Sequence, residues 1–467
     1  MSGREPITII GGGLVGALLA ALLAQGGCAV EVFERRPDPR RSGYAGGRSI
    51  NLALAERGLH GLRLAGLSDD VMRLAVMMRG RMVHARDGTT ELLRYGRDDS
   101  EVIWSISRGG LNLALIDAAE RAGARFHFDR RLAGARFADN AVTLAFNDDA
   151  TGTASTHVAP FAIGADGAGS ALRAAMNATT PLGERIEPLG HGYKELEVPP
   201  CATAPSGGEP SRARFALEPH ALHIWPRGNY MCIALPNAEG SFTVTLFLPN
   251  DSGTDAGAPS FANVATPAAA RALFVREFVD LLPLIPALEQ DFAANPVGVL
   301  ATLHLDRWHL GGRALLVGDA AHAIVPFHGQ GMNCGFEDAV ELADLLVEGR
   351  DRAAAFAEFE RRRRPNAEAI AAMALENYVE MRDSVADPAF LLRRELARRL
   401  AARHPERFVP RYSMVTFTRM PYAQAYARGA VQDALLHELA DGQHDIDRID
   451  MGRADTLVRE RLAPLAG

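Results

Sequence analysis

The sequence predicts an α/β protein in which a parallel sheet is interrupted by a second, mostly antiparallel sheet and followed by a helical C-terminal region. Three observations support this fold class. A strand, a glycine-rich turn, a helix and a second strand follow one another near the start of the chain. Short strand-like runs separated by turn residues occupy the region from about 214 to 249. From Gly335 onward the chain is rich in Ala, Leu, Arg and Glu, which is typical of helices.

The first element pair is a βαβ unit. Ile7–Ile10 has the pattern of a short buried strand, and Gly11–Gly13 form a turn into an Ala- and Leu-rich helix that ends near Gly26. Ala29–Phe33 then alternates like a second strand. Strands joined through a helix pair in parallel, so a parallel sheet is expected. The apolar part of the helix is too short to cross a membrane.

The middle of the chain predicts the second sheet. His223–Trp225, Met231–Leu235 and Phe242–Phe247 are strand-like runs, flanked by loops at 201–212 and 250–269. The apolar run Ala314–Val317 leads back into the first domain. We therefore expect a discontinuous first domain (1–185 and 300–375), an inserted sheet domain (186–299, joined by parts of 60–105) and a C-terminal helical region (376–467).

Composition narrows the function classes. A chain of 467 residues suits two or three domains, and 48% hydrophobic with 23% charged residues is usual for a soluble globular protein. The net charge is −7 and no dense basic block is present, so no nucleic-acid partner is expected. The run Arg361–Arg364 before Pro365 is interpreted as a solvated helix end.

The cysteines and the apolar pattern predict a reduced, cytoplasmic protein without a membrane anchor. The four cysteines, Cys28, Cys201, Cys232 and Cys334, have neither metal-pair nor C-x-x-C spacing. The first strand begins within ten residues of Met1, which leaves no room for a signal peptide. No run of about 18 apolar residues occurs.

A dinucleotide fingerprint opens the chain. Gly11, Gly13 and Gly16 form G-x-G-x-x-G between strand and helix, and Glu34 closes the next strand. Gly11 permits the tight turn, Gly13 lets a pyrophosphate approach the backbone, and Gly16 allows close packing. Glu34 can accept hydrogen bonds from ribose hydroxyls. The alternative is a purely structural glycine turn.

Two later motifs favour FAD over NAD. Asp166 follows a strand-like run, and Asp319 follows another and leads into Pro326–Asn333. Asp319 can hydrogen-bond the ribityl chain or a hydroxyl on the phosphate side, and Gly329 and Gly331 allow the backbone to approach a flat ring. A helix beginning near Met332 would direct its positive end towards the flavin.

Together these three motifs resemble the class A flavoprotein monooxygenases. Within that family the sequence is most similar to members that hydroxylate kynurenine. The similar stretches are Gly47–Leu54, Met78–His84, Ser105–Arg108, Leu222–Arg227, Asn377–Arg382 and Tyr412–Phe417. The resemblance implies one Rossmann-like FAD-binding domain, an inserted substrate sheet and no second dinucleotide domain. No second G-x-G-x-x-G motif is present to contradict this.

The resemblance also implies the reaction. L-Kynurenine would be hydroxylated at C3 with NADPH and O₂, through a flavin C4a-hydroperoxide, in tryptophan degradation by the kynurenine pathway. FAD would be tightly bound and NADPH a transient co-substrate. Eukaryotic members carry a hydrophobic C-terminal anchor, whereas the tail His437–Gly467 is charged and resembles the soluble bacterial members. Whether the protein is a homodimer is left open.

Site residues are carried over from the same resemblance. The substrate carboxylate would be held by Arg81 and Tyr95, helped by Asn377 and Tyr412. The aromatic ring would lie against Ile233, Leu235 and Phe247, covered by Pro326, Phe327 and His328. Glu380 and Met381 would link the C-terminal helices to the site. FAD contacts would come from Val15, Glu34, Arg35, Arg36, Ala53, Arg108, Leu132, Asp166, Asp319, Gly331, Met332 and Asn333, besides the three glycines of the fingerprint.

Each assignment has a structural alternative. Arg81 could form a surface ion pair, and Tyr95 and Tyr412 could be core tyrosines. Asn377 could anchor helix packing, and the three apolar residues of the sheet could be plain core. His328 is interpreted as shaping the pocket rather than as a general base, because an aniline-activated ring needs no strong deprotonation. Two other functions stay open: hydroxylation of another aromatic acid, and a flavin-bound redox sensor without turnover.

Overall fold

The computed structural model describes residues 5–42, 51–201, 214–253, 257–381 and 388–465. The strands within these ranges are β1 (Ile7–Ile10), β2 (Val30–Phe33), β3 (Asn51–Leu54), β4 (Ala75–Met78), β5 (Gly80–His84), β6 (Thr90–Arg94), β7 (Ile103–Ser107), β8 (Arg125–His127), β9 (Arg131–Phe137), β10 (Val142–Asn147), β11 (Ala154–Ala159), β12 (Ala162–Gly164), β13 (Arg185–Val198), β14 (Leu222–Pro226), β15 (Met231–Pro236), β16 (Phe242–Pro249), β17 (Gly298–His304) and β18 (Ala314–Leu316).

Helices make up most of the remaining described chain. The α-helices are α1 (Leu14–Gln25), α2 (Pro39–Ser42), α3 (Glu56–Leu64), α4 (Ser68–Met72), α5 (Arg108–Arg121), α6 (Ala171–Thr179), α7 (Pro267–Glu277), α8 (Leu288–Ala294), α9 (Asp319–His322), α10 (Gly331–Val347), α11 (Arg352–Val379), α12 (Pro388–Arg403), α13 (Arg411–Phe417), α14 (Tyr422–Ala440) and α15 (Met451–Arg461). Short 3-10 turns cover Leu282–Leu284, Pro326–His328 and Ile446–Arg448.

The predicted parallel sheet is confirmed. Five strands run in the order β18-β12-β1-β2-β8, and all of their pairings are parallel. β1 is buried along its whole length, and α1 is buried on nearly every side, which explains its Ala- and Leu-rich composition. The carboxyl ends of β1, β12 and β18 are followed by Gly11, Ala165 and Val317, all of which line one cavity.

The second sheet has seven strands in the order β17-β13-β16-β15-β14-β5-β6. Its pairings are antiparallel except for β14 with β5, which sets Leu222 beside Arg81. The fold class is therefore confirmed. One face of β15 and β16 packs on α7 and α8, with Cys232, Val244 and Leu246 in that core. The opposite face lines the cavity at the parallel sheet.

α11 corrects the interpretation of the basic run. The helix does not end before Pro365; it continues through it to Val379. Arg363 is buried, and its Nε donates to Asp338 Oδ1 at 2.7 Å, with Glu337 also in ion-pair contact. Arg363 therefore joins α11 to α10 inside the protein and is not part of a solvated helix end, whereas Arg361 and its neighbour Arg362 pair at the surface.

Three of the hydrophobic clusters mark the main parts of the fold. One surrounds the parallel sheet, one lies between the seven-stranded sheet and α7–α8, and one lies among α12, α14 and α15. The proposed domain boundary at 375/376 falls inside α11, so the exact domain limits stay a prediction. None of the four cysteines forms a disulfide, and within the described ranges no helix is long and apolar enough to span a membrane.

Candidate active site

A cavity of 860 Å³ extends from the glycine turn after β1 to the inner face of the seven-stranded sheet. Most of the predicted site residues line it. On the cofactor side these are Gly11, Gly13, Val15, Glu34, Arg35, Arg36, Ala53, Arg108, Leu132, Asp166, Asp319, Gly331 and Met332. On the substrate side they are Arg81, Tyr95, Ile233, Leu235, Phe247, Pro326, Phe327, His328, Met381 and Tyr412.

The three fingerprint glycines differ in what surrounds them. Gly11 has φ +103°, and a Cβ there would stand 2.5 Å from the carbonyl oxygen of Ala165. A Cβ on Gly16 would stand 2.0 Å from the carbonyl oxygen of Gly11. A Cβ on Gly13 would meet no atom within 4 Å, because this residue faces the cavity. Two glycines therefore permit the packing of the turn, and the third leaves an open approach to its backbone.

Glu34 holds this turn from the neighbouring strand. Its Oε2 accepts from the Gly12 amide at 2.7 Å and its Oε1 from the Arg36 amide at 3.0 Å. The side chain also lines the cavity beside Arg35 and Arg36, whose cations are exposed there. α1 begins without a side-chain cap, so its first amides are available to an anion.

The two predicted aspartates have different surroundings. Asp166 caps α6: it accepts from Ser170 Oγ at 2.5 Å and from the amides of Ala171 and Leu172. Burial raises the pKa of Asp166 despite these bonds. Asp319, the first residue of α9, is exposed to the cavity, and no group in the described chain lies within hydrogen-bond distance of its carboxylate.

Asn333 and Gly16 lie behind the cavity wall. The Asn333 amide donates to the carbonyl oxygens of Ala53 at 2.8 Å and Gly329 at 2.9 Å, and its Oδ1 accepts from the Ala55 amide. Asn333 is completely buried and does not line the cavity. It ties β3 to the start of α10 and thereby shapes the wall that Ala53 and Met332 present.

These features fit FAD. The open backbone at Gly13 and the uncapped start of α1 suit a pyrophosphate, whose charge the cations of Arg35, Arg36 and Arg108 can balance. The unpaired Asp319 carboxylate suits sugar or ribityl hydroxyls, which are hydrogen-bond donors.

Arg81 is the centre of the substrate side. It lies on β5, half-buried, with its guanidinium carbon 5.7 Å from the ring centres of both Tyr95 and Tyr412. The two tyrosine rings stack at 5.3 Å. In the described chain no carboxylate lies within ion-pair distance of Arg81. Burial opposes its charge, yet Tyr95, Tyr412 and the more distant Glu380 outweigh burial and hold its pKa above the usual range.

His328 continues this aromatic stack. Its ring lies 5.5 Å from that of Tyr412 and nearly parallel to it. Burial, together with the cations of Arg81, Arg411 and Arg57, lowers the pKa of His328 to about 4, so the ring is neutral at pH 7. Its Nδ1 is buried without a hydrogen-bond partner among the described residues. This nitrogen is available to a ligand.

The sheet supplies an apolar wall. Register places Met231 beside Phe247 and Ile233 beside Thr245 on the face that lines the cavity. Leu235 continues that face beside Thr243. The ring of Phe247 lies 5.1 Å from that of Phe327, which in turn lies 4.5 Å from Tyr378. Phe327 is therefore enclosed between the sheet and α11.

Asn377 and Glu380 do not line this cavity. They line a second cavity of 370 Å³, between the substrate wall and α12–α14. The Asn377 amide donates to the Phe327 carbonyl at 2.5 Å, so it holds the Pro326–His328 turn from behind. Five residues line both cavities and separate them: Arg81, Tyr95, His328, Met381 and Tyr412.

Comparison with known proteins identifies the family. Residues 4–229 and 289–374 match the family described as FAD binding domain. The chain is 59% identical over 461 residues to the kynurenine 3-monooxygenase of Xanthomonas euvesicatoria pv. vesicatoria, covering 99% of this chain and 98% of the relative. It is 57% identical over 461 residues to that of Stenotrophomonas maltophilia, with the same coverage.

The chain belongs to the kynurenine 3-monooxygenase family. Its fold is also similar to that of HpxO from Klebsiella pneumoniae, crystallised with FAD and uric acid. The TM-score is 0.63 and the identity 19%, covering 84% of this chain and 92% of the other. The predictions of a flavoprotein monooxygenase and of FAD as its cofactor are confirmed by this membership.

Sequence reasoning about the family's site missed several lining residues. Thr243, Thr245, Tyr193 and Glu195 all face the cavity. Alternation along the strands carried the signal: Thr243 and Thr245 have the same parity as Phe247, and Tyr193 has the same parity as Glu195. Two of the quoted stretches extend outside the described residues, at 47–50 and at 382.

Proposed function

We propose that this protein hydroxylates L-kynurenine to 3-hydroxy-L-kynurenine, using FAD, NADPH and O₂. One observation carries the assignment of the substrate: a half-buried arginine, with no carboxylate partner among the described residues, stands beside the apolar wall of a cavity that begins at a dinucleotide turn. A buried cation without an anion is costly unless a ligand supplies one. Kynurenine supplies a carboxylate at one end and an aromatic ring at the other. The names of the relatives support the same substrate.

Arg81 binds the amino-acid carboxylate in this proposal. Its planar guanidinium can form two parallel hydrogen bonds with a carboxylate. The hydroxyls of Tyr95 and Tyr412, which flank it, add donors. Burial raises the pKa of both tyrosines, so they remain neutral donors at neutral pH.

The aromatic ring of the substrate packs on the sheet wall. Ile233, Leu235 and Phe247 offer an apolar surface, and Pro326, Phe327 and His328 cover the other side. These contacts exclude water from the reacting carbon, which protects an oxygen-transferring site from side reactions. Since His328 is neutral, it adds polarity without a second positive charge beside Arg81.

Bound FAD supplies electron transfer from NADPH to O₂ and transfer of one oxygen atom to the ring. The protein holds the cofactor through the turn at Gly11, Gly13 and Gly16 and through Asp319. The other proposed contacts with FAD come from the remaining cofactor-side residues named above as lining the cavity. Asn333 acts indirectly, because its hydrogen bonds fix Ala53 and Gly329.

Asn377, Glu380 and Met381 connect the site to the C-terminal helices. We assign Asn377 to positioning of the Phe327 backbone rather than to a direct grip on the substrate. Met381 lines both cavities, whereas Glu380 faces the second one and adds negative charge near Arg81. Four cysteines that form no disulfide suit a reducing compartment, so we place the protein in the cytoplasm.

The deciding experiment is product analysis. Purified protein is incubated with L-kynurenine, NADPH and O₂, and 3-hydroxykynurenine is quantified by mass spectrometry beside NADPH consumption. A phenolic acid with a similar ring, such as 4-hydroxybenzoate, serves as the comparison substrate. Formation of 3-hydroxykynurenine is expected. Hydroxylation of the phenol alone would favour the other aromatic hydroxylase, and FAD binding without ligand-stimulated NADPH oxidation would favour a redox sensor.

A further inference from the structure

Glu195 lies on the cavity-lining face of β13, next to the ring wall. β13 pairs with β16, and β16 pairs with β15, so Ile233, Thr245 and Glu195 form one row across three strands. All three line the cavity. Neighbouring strands stand about 4.8 Å apart, which puts Glu195 two strand spacings from Ile233. The next row, Met231, Phe247 and Tyr193, reaches Phe327.

The Glu195 side chain lines the cavity. It is half-buried, and no donor in the described ranges lies within hydrogen-bond distance of its oxygens. Two ionisable groups face it: the Arg108 guanidinium at the start of α5, and the Tyr193 phenol on its own strand. Burial raises the pKa of Glu195 to about 7, and Arg108 partly opposes this rise.

The other acids of the cavity have different roles. Glu34 is held by two backbone amides and Asp166 caps a helix, so both carboxylates are occupied. Asp319 is the first residue of α9, on the cofactor side of the cavity. Among the described residues of the cavity, Glu195 is thus the acid that combines a free carboxyl with a location beside the ring wall.

The proposed reaction consumes a proton. Its balance is ArH + NADPH + H⁺ + O₂ → ArOH + NADP⁺ + H₂O, in which NADPH gives two electrons as a hydride. One oxygen atom enters the ring and the other leaves as water, and the water needs the extra proton. A cavity that excludes bulk water must therefore still admit this proton.

We propose that Glu195 is the proton-carrying residue of this cavity. The carboxyl O–H bond breaks as its proton passes, through intervening water, to the oxygen atom that leaves as water. No electrons move from Glu195. Arg108 stabilises the carboxylate that remains, and solvent at the cavity mouth returns a proton to it. This inference rests on the proposed monooxygenase function.

Glu195→Gln tests the inference with Glu195→Asp as the conservative variant. Glu187→Gln is the matched control, because Glu187 is exposed at the other end of β13 and does not line the cavity. Product formation and NADPH oxidation are measured from about pH 6 to about pH 9, together with FAD content, kynurenine affinity and thermal unfolding. Infrared difference spectra across the same range follow the protonated carboxyl.

The protonated acid is the donor, so wild-type product formation should fall as pH rises through about 7. Glu195→Gln should reduce product formation on the order of 10²-fold and abolish this fall. In Glu195→Asp, product formation should still fall with rising pH, but with a shifted midpoint. In Glu195→Gln, the infrared carboxyl band that titrates near pH 7 in the wild type should be absent. FAD content, kynurenine affinity and the Glu187→Gln profile should be unchanged.

Some outcomes overturn this assignment. Wild-type pH dependence retained in Glu195→Gln would eliminate Glu195 as the proton carrier. An equal loss in Glu195→Gln and Glu195→Asp, with lowered thermal stability and no change of pH profile, would assign it a structural role instead. Failure of the proposed function is distinguished by the wild-type enzyme, which would then form no 3-hydroxykynurenine at any pH.

Discussion

The two ends of the 860 Å³ cavity are built in different ways. The cofactor end is mainly backbone: glycines, the uncapped start of α1, and carboxylates that hold backbone amides. The substrate end is mainly side chains, brought together from β5, β15, β16, α13 and the Pro326–His328 turn. No carboxylate among the described residues lies within ion-pair distance of its central cation, Arg81.

This difference separates two kinds of requirement. At the cofactor end, glycine is needed because it has no Cβ: at two positions a Cβ would clash with the backbone, and at the third a side chain would block a phosphate. At the substrate end, the charge and shape of individual side chains decide which ligand is accepted. Substitutions at the cofactor end should therefore abolish FAD binding. Substitutions at the substrate end should instead lower the affinity for kynurenine, or the yield of hydroxylated product per NADPH, by amounts that depend on the side chain removed.

The largest effect is expected from Gly13→Val. Its side chain would enter open space in the cavity, so the protein should fold, but the branched group should block the pyrophosphate approach. Absorbance and FAD titration should show a colourless apoprotein with at least about 100-fold weaker FAD binding, equivalent to roughly 2.8 kcal/mol. Circular dichroism should match that of wild-type apoprotein.

Gly16→Ala is the contrasting control within the same turn. Its new Cβ would stand 2.0 Å from the Gly11 carbonyl oxygen, so the turn itself must shift and folded protein should be lost. Wild-type FAD affinity in Gly13→Val would contradict the backbone description of the cofactor end.

An intermediate effect is expected from Arg81→Ala. Loss of a charged hydrogen bond should weaken kynurenine binding by about 1.5–3 kcal/mol, or roughly 10- to 150-fold, with normal FAD content. Because no carboxylate in the described part of the chain pairs with this cation, thermal unfolding in the absence of kynurenine should show little destabilisation. Equilibrium titration and thermal unfolding measure the two quantities.

Arg79→Ala provides the matched control for that variant. Arg79 lies two residues earlier, and its guanidinium pairs with Asp99 outside both cavities. Its kynurenine affinity should equal that of wild type. If Arg81→Ala also keeps wild-type affinity, the carboxylate must be bound elsewhere.

The smallest effect is expected from Phe327→Ala, and it should appear in coupling. Removing this ring beside Phe247 opens the covered side of the pocket to water while leaving Arg81 and Tyr95 in place. Kynurenine should still stimulate NADPH oxidation, but the ratio of 3-hydroxykynurenine to NADPH should fall at least about two-fold. Catalase-sensitive H₂O₂ should account for the difference.

Phe274→Ala controls for the general cost of removing a buried ring. Phe274 is fully buried in the core behind the seven-stranded sheet. Phe274→Ala and Phe327→Ala should therefore each lower the free energy of unfolding by about 3–5 kcal/mol. Coupling should stay normal in Phe274→Ala. Normal coupling in Phe327→Ala would mean that this ring does not seal the site, and loss of FAD would assign it a structural role.

The cofactor end could be predicted from sequence because its determinants are local. The strand, turn, helix and second strand lie within one continuous segment, and Gly11, Gly13 and Gly16 have spacings that follow from backbone geometry. The glycine turn, the parallel sheet and the acid at Glu34 follow from that segment alone. Strand parity likewise predicted which residues of β15 share a face.

The substrate end depends on contacts between distant segments, which local patterns do not encode. Arg81 and Tyr412 are 331 positions apart in sequence and meet only in the folded protein. Arg363 shows the same limitation: a run of arginines before a proline indicates a solvated helix end, but the buried Asp338 and the partly buried Glu337 on α10 form ion pairs with one of them. The hydrogen bond from Asn377 to the Phe327 carbonyl also joins distant segments, so no local sequence pattern predicts it.

α11 fixes the relative direction of two side chains, one packed near the cofactor end of the cavity and one near the substrate end. Phe359 packs in the core of the parallel sheet, and Asn377, 18 residues later, holds the turn beside the substrate wall. At 3.6 residues per turn this separation is five whole turns, so both side chains leave the helix on the same side. A single inserted residue would rotate one of them by about 100° relative to the other. Surface residues between Phe359 and Asn377 can therefore vary, but the number of residues between these two positions is fixed by the whole number of helical turns.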